Sequence, residues 1–262
     1  MKLATFTTDA SSEPLGGVVD GERVRAFARG ADAVRDVLAG RISTEADLGE
    51  YALSDVQLLA PIPHPGTIFA IGLNYADHIA EMGHASPEWP TVFLKAATSA
   101  TAPSGPIVKP AVVGKLDYEG ELMIAIGQGG AAAAYCVADD VTGRDLQGRE
   151  PQWVRGKGAD TFCPFGPWLT TADEVPDPGN LAIRTWVNGE LRQSSNTSNL
   201  VFGIEALLAF ISETCTLRAG DLILTGTPGG VGQGMNPPRY LRSGDTVRIE
   251  VESLGQIEHS VS

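Results

Sequence analysis

The apolar residues of this chain come in short runs, each closed by a glycine, an acid or a turn. TIFAIGL (67–73), ELMIAIG (121–127), AAYCVADD (133–140), LAIRTWV (181–187), DLILTG (221–226) and TVRIEVE (246–252) are too short for helices and suit a pleated surface. Thirty-one glycines and 17 prolines in 262 residues supply the turns between them. Asn188-Gly189, between LAIRTWV and ELRQ, predicts a tight hairpin. Helical patterning is confined to ADAVRDVLAG (31–40), to FGIEALLAFISE (202–213), and to a short turn after Asn74, read as an N-cap. In the second of these, Phe202, Leu207, Phe210 and Ile211 share a stripe. The expectation is a strand-rich α+β protein. The proline-spaced PIPHPG breaks any regular element and sets a small N-terminal domain, 1–60, apart from a larger domain, 61–262.

Charge and cysteine content narrow the partners. A formal net charge of -13 argues against nucleic acid or an anionic membrane, which need clustered Lys and Arg. The first residues lack the apolar core of a signal peptide. The longest uncharged stretch, Leu122 to Ala138, is broken by Gly127, Gly129 and Gly130 and reads as two strands with a turn, not a membrane span. Cys136, Cys163 and Cys215 are odd in number and widely spaced, which fits thiols in a reducing compartment. A cytoplasmic protein with a small-molecule partner is expected.

KLDYEGELMIAIG (115–127) places Asp117, Glu119 and Glu121 at alternate positions of a strand, so that their side chains share one face. Carboxylates that close raise one another's pKa and cost stability, and a divalent cation with oxygen ligands removes the cost. The same spacing also fits a solvated strand face. Asp139-Asp140 ends the next strand-like run, where a hairpin would bring one further carboxylate to the start of the first; turn-forming acids are the alternative.

In LNYADHIAEMG (73–83), His78 and Glu81 are three apart, on one face if a helical turn follows Asn74. A glutamate that orients a histidine makes a general base; a surface pair is the plainer reading. The loop from Gly143 to Trp168 brings Arg144, Gln147, Arg155 and Lys157 after the acidic pair, donors suited to an anionic substrate or to balancing surface acids. TGTPGGVGQG (225–234) lacks the Gly-Lys-Ser/Thr ending of a phosphate loop, yet Thr227 and its backbone N–H groups are placed to donate to substrate oxygens.

GLNYADHIAEMG, LDYEGELMIAIG, DDVTGRDLQ, GKGADTFCPFGPW, VNGELRQ and AGDLILTGTPGGVG, in that order over residues 65 to 262, resemble the fumarylacetoacetate hydrolase family. The resemblance implies a mixed β-sandwich or β-roll catalytic domain with a small N-terminal domain, a homodimer, and Mg²⁺ or Mn²⁺ on Glu119, Glu121 and Asp140, with Asp117 behind them. It further implies His78 and Glu81 as the base pair, Lys157 as a catalytic donor, and Arg144, Gln147 and Thr227 as substrate-binding residues. Two positions depart from the family pattern: Asp139 stands where asparagine is usual, and Ala96 where proline follows the lysine of the FLK segment.

The activity that this resemblance implies is hydrolysis of a carbon–carbon bond in an acylpyruvate. His78 activates water, Lys157, Gln147 and Thr227 stabilise the oxyanion, and the cation stabilises the departing pyruvate enolate. Isomerisation of 2-hydroxy-dienedioates or decarboxylation of oxaloacetate-like acids would use the same enolate. From a different class, a noncatalytic module binding Ca²⁺ for stability would show metal-dependent melting without turnover.

Overall fold

A computed structural model describes residues 1–262. β1 (Lys2–Thr8), β2 (Ser11–Asp20) and β3 (Arg23–Arg29) form an antiparallel meander, followed by α1 (Ala33–Leu38), β4 (Glu50–Ala52) and β5 (Val56–Leu58). After the prolines come β6 (Ile68–Gly72), α2 (Ala76–Glu81), β7 (Thr91–Lys95), β8 (Ala100–Thr101) and β9 (Ser104–Ile107). The central part holds β10 (Leu116–Asp117), β11 (Gly120–Ile126), β12 (Ala132–Asp139), β13 (Thr142–Gly143), α3 (Arg144–Arg149), α4 (Val154–Lys157) and β14 (Cys163–Thr171). The chain ends with β15 (Ala182–Val187), β16 (Glu190–Asn196), α5 (Ile204–Ser212), β17 (Leu222–Leu224), β18 (Thr246–Val251) and β19 (Gly255–Val261).

These strands make one large mixed sheet, ordered β4-β3-β2-β1-β14-β12-β11-β17-β6-β7, and a five-stranded sheet, β16-β15-β18-β19-β9. β10 and β13 pair as a short separate ribbon. β11 lies in the middle of the large sheet and is buried on both faces, so its sequence is continuously apolar. Leu122, Ile124 and Ile126 face a core shared with β15, β18, β19 and α5, whereas Met123 and Ala125 face a second core with Ala134, Cys136 and Ala138 of β12. Each fully buried Leu or Ile contributes about 1.5–3 kcal/mol.

Residues 1–60 extend the large sheet, β1 pairing with β14 through Lys2↔Thr170 and Leu3↔Leu169, and they carry their own small cluster around Phe6, Leu15 and Val24. The hairpin at Asn188-Gly189 forms as expected, with both residues at positive φ (51° and 78°).

Two local expectations are corrected. Asn74 does not cap α2, whose N-cap is Tyr75. Its buried amide instead donates to the carbonyls of Phe202 (3.1 Å) and Thr225 (2.8 Å) and accepts from the Phe202 N–H (2.9 Å), satisfying buried backbone groups of distant loops. α5 begins at Ile204, so it buries Ile204, Leu207 and Ile211, while Phe210 turns outward to stack on Trp89 at 6.5 Å.

Candidate active site

The β11–β12 hairpin builds the acidic cluster. Gly120 pairs with Asp139 and Glu121 with Ala138, and the Asp140 N–H donates to the Glu119 carbonyl (2.9 Å). Carboxylate oxygens of Glu119, Glu121 and Asp140 thereby lie within 4.8 Å of one another, all three residues buried. Strand alternation explains the choice. Glu121 and Asp140 continue the face of Met123, Cys136 and Ala138, whereas Asp139 continues the opposite face, that of Val137. Asp139 accordingly reaches the other sheet. Its Oδ2 lies 2.9 Å from His259 Nε2, and its Oδ1 accepts the Glu119 N–H (2.8 Å). Asp117 stands apart on β10. It accepts the N–H groups of Tyr118 (3.1 Å), Gly232 (2.8 Å) and Gln233 (3.0 Å) and the Nε–H of Arg144 (2.8 Å).

Positive charge sits against the cluster. Lys157 donates to Glu119 and Asp140, both at 2.6 Å, and Arg144 contacts Glu119 at 2.7 Å. Lys95, whose side chain is fully buried, donates to Asp140 and to the Lys157 carbonyl. Burial alone would raise the pKa of Glu119, but Lys157 and Arg144 outweigh it and hold the carboxyl at about 2. Glu121 goes the other way: burial, then Asp140 and Glu119, push it well above the usual carboxylate range. The buried acids Asp117, Glu119, Glu121, Asp139 and Asp140 outnumber the buried cations Lys95, Arg144 and Lys157 by two. An all-oxygen donor set with that deficit fits a divalent cation such as Mg²⁺ or Mn²⁺. The Tyr75 hydroxyl is buried without a protein partner beside the same cluster, and burial first, then Glu121 and Asp77, raise its pKa.

Loop 225–234 ties the cluster to the histidine. Its N–H groups are committed to acids: Gly226 to Glu121 (2.7 Å), Gly229 to Asp77 (3.3 Å), Gly230 to Glu81 (3.0 Å), and Gly232 and Gln233 to Asp117. Gly230, at φ 103°, packs so tightly that an added Cβ would lie 2.0 Å from the Arg192 carbonyl. His78 Nδ1 lies 3.4 Å from Glu81 Oε2, which leaves Nε2 for a ligand. The Thr227 hydroxyl donates to the Gly120 carbonyl (3.0 Å) and accepts from Gln193 (2.8 Å), so Thr227 meets the cavity with its donor proton already used.

A cavity of about 270 Å³ opens between these groups, and His78, Glu119, Arg144, Gln147, Lys157 and Thr227 all line it. Glu81 holds His78 from behind. Arg155 lies elsewhere, paired with Glu150 at 2.7 Å. Several neighbours carried no local signal in the sequence. Gln193 clamps loop to strand, accepting the Gly120 N–H (3.0 Å) and donating to Thr227 and to the Pro228 carbonyl (2.8 Å). Ile71, Leu73, Phe93 and Trp153 form an apolar wall, with His84 and Gln233 at its polar edge.

The chain belongs to the fumarylacetoacetate hydrolase family. The family model described as Fumarylacetoacetate (FAA) hydrolase C-terminal matches residues 67–262. Among individual relatives, Oxaloacetate tautomerase YisK of Bacillus subtilis is 44% identical over 226 residues, which are 80% of this chain and 75% of that protein. The solved fumarylacetoacetate hydrolase from psychrophilic Exiguobacterium antarcticum has a TM-score of 0.87 and 37% identity, over 100% of this chain and 99% of that one. The 2-hydroxyhepta-2,4-diene-1,7-dioate isomerase from Mycobacterium marinum has a TM-score of 0.81 and 33% identity, over 100% and 98%. No helix is long and apolar enough to cross a membrane.

Proposed function

We propose that this chain is a Mg²⁺- or Mn²⁺-dependent tautomerase that interconverts the keto and enol forms of an oxaloacetate-type 2-oxo dicarboxylate. Glu119, Glu121 and Asp140 are the proposed ligands. The observation that carries the reading is the placement of one buried histidine, His78, on the same 270 Å³ cavity as the Glu119 end of the all-oxygen cluster. That is the apparatus for moving a proton between carbon and oxygen of a carbonyl acid. The name of the Bacillus subtilis relative supports this choice over the hydrolysis suggested by family resemblance alone.

When bound, the cation supplies Lewis-acid polarisation of the 2-oxo group. Arg144 and Lys157 bind the substrate carboxylate beside it, and Gln147 donates to the carbonyl oxygen. His78 Nε2 takes a proton from C3 and gives it up to the 2-oxo oxygen, completing the enol, and Glu81 keeps the ring oriented while the proton is carried. The wall of Ile71, Leu73, Phe93 and Trp153 packs the carbon chain of the substrate against the base.

Hydrolysis of an acylpyruvate is the second reading, favoured by the His78–Glu81 contact, which suits activation of a water molecule. Proton NMR in D₂O separates the two. Tautomerisation predicts metal-dependent exchange of the C3 hydrogens of oxaloacetate, faster than with metal alone, and no cleavage of an acylpyruvate. Release of pyruvate and a free acid without C3 exchange would establish hydrolysis, and release of carbon dioxide would establish decarboxylation.

A further inference from the structure

A second cavity, of about 470 Å³, lies beside loop 225–234, to which its lining residue Tyr118 is tied by a hydroxyl donated to the Gly230 carbonyl (2.8 Å). Arg192, Arg239 and Arg242 line it, together with Asn188, Tyr118, Tyr240 and one acid, Asp245. The Lys115 ammonium adds charge from 5.8 Å over the Tyr240 ring. The acids nearby are already engaged. Glu190 takes Arg239 at 3.0 Å and Arg192 at 3.1 Å, while Asp245 accepts the Asn188 amide and the Arg242 backbone N–H, both at 2.8 Å. The Arg242 guanidinium is paired with no carboxylate. In a chain of net charge -13, the four cations Arg192, Arg239, Arg242 and Lys115 against the two acids Glu190 and Asp245 leave this wall with an excess of two positive charges. That excess favours an anion, and planar guanidinium forks match the oxygens of carboxylate and phosphate.

We propose that this cavity is a second ligand site, for a small, multiply charged oxyanion bearing phosphate or several carboxylates. Its size falls within the range of small-molecule sites. It also abuts the catalytic machinery. The Arg239 N–H donates to the Gly232 carbonyl (2.9 Å), and the Gly232 N–H holds Asp117 (2.8 Å). An anion gripped by Arg239 therefore leans on the same loop that positions the acids.

The test is calorimetric titration of the full chain in Mg²⁺ buffer with inorganic phosphate in one arm and tricarballylate in the other. Saturable binding in either arm is expected, the stronger arm identifying the anion, with affinity falling steeply as salt is added. Arg242→Gln, which breaks no ion pair, should weaken it about tenfold, roughly 1.4 kcal/mol. Arg239→Gln/Arg242→Gln should abolish it. Undiminished binding in the double variant would place the anion elsewhere, and absence of saturable binding in both arms would remove the site; either overturns the proposal.

Discussion

Replacing Glu121 by Gln should make the metal-free protein more stable and the metal-treated protein less responsive, opposite signs from one substitution. The amide keeps the side chain's shape and can still accept the Gly226 N–H now at 2.7 Å. It removes a charge whose oxygens lie within 4.8 Å of those of Glu119 and Asp140. At that separation, and at an effective dielectric constant of about 20, each like-charge pair repels by about 3 kcal/mol or more. Attraction to Lys157 and partial protonation of Glu121 offset much of this, leaving a net gain of about 2 kcal/mol. For a chain of this size that corresponds to a rise of about 4–8 °C in melting temperature. The assay is thermal melting in chelator and in Mg²⁺ or Mn²⁺. Wild type should gain about 2.7 kcal/mol when metal is a hundredfold above its dissociation constant. The variant should lose most of that gain. A lower melting temperature in chelator, or an undiminished metal response, would refute the account of Glu121 as a repelled ligand.

Three further outcomes follow from the geometry. His78→Ala should slow turnover by about 10²–10⁴ while leaving metal affinity by calorimetry unchanged; loss of metal binding would contradict its role as base. The pH dependence of metal-free stability should have two limbs. Glu119, held at about 2, loses its contribution as pH falls below the unfolded value of about 4.3. Glu121, raised by burial and its neighbours, makes the protein less stable as pH rises above about 4.3, until its folded-state pKa is passed. Metal should flatten the second limb, and melting curves across pH with and without chelator show whether it does. Gly120→Ala would place a Cβ 2.3 Å from Thr185 Oγ1 and 3.0 Å from Ile249 Cγ2, so urea denaturation should show a loss of about 1–3 kcal/mol.

Much of the site is written in local pattern. Glu119 and Glu121 share a face because strands alternate, and the run to Asp140 returns beside them because a hairpin must. The same alternation separates Asp139 from Asp140 and aims it at His259, a consequence readable from Val137 and Ala138 once both faces of β12 are known to be buried. Asn74 was not readable in this way: a residue type that caps helices serves here as a bridge between segments about 125 and 150 positions away. Lys95 and Gln193 fall in segments that carry the family resemblance, but their contacts were unreadable for a related reason, since their partners, Asp140 and Thr227, become neighbours only when the sheets assemble. The loop 225–234 showed donors but not their recipients, and they serve the protein's own acids.

That loop is anchored at both poles of the cavity, to Glu121 on one side and to Glu81 on the other. An insertion or deletion within it would disturb the contacts of Glu121 and Glu81 together. Diversification is left to the facing wall of Ile71, Leu73, Phe93 and Trp153, where a side chain can be exchanged without moving either pole. That wall is where substitution reshapes the cavity at least cost to the contacts that hold the loop.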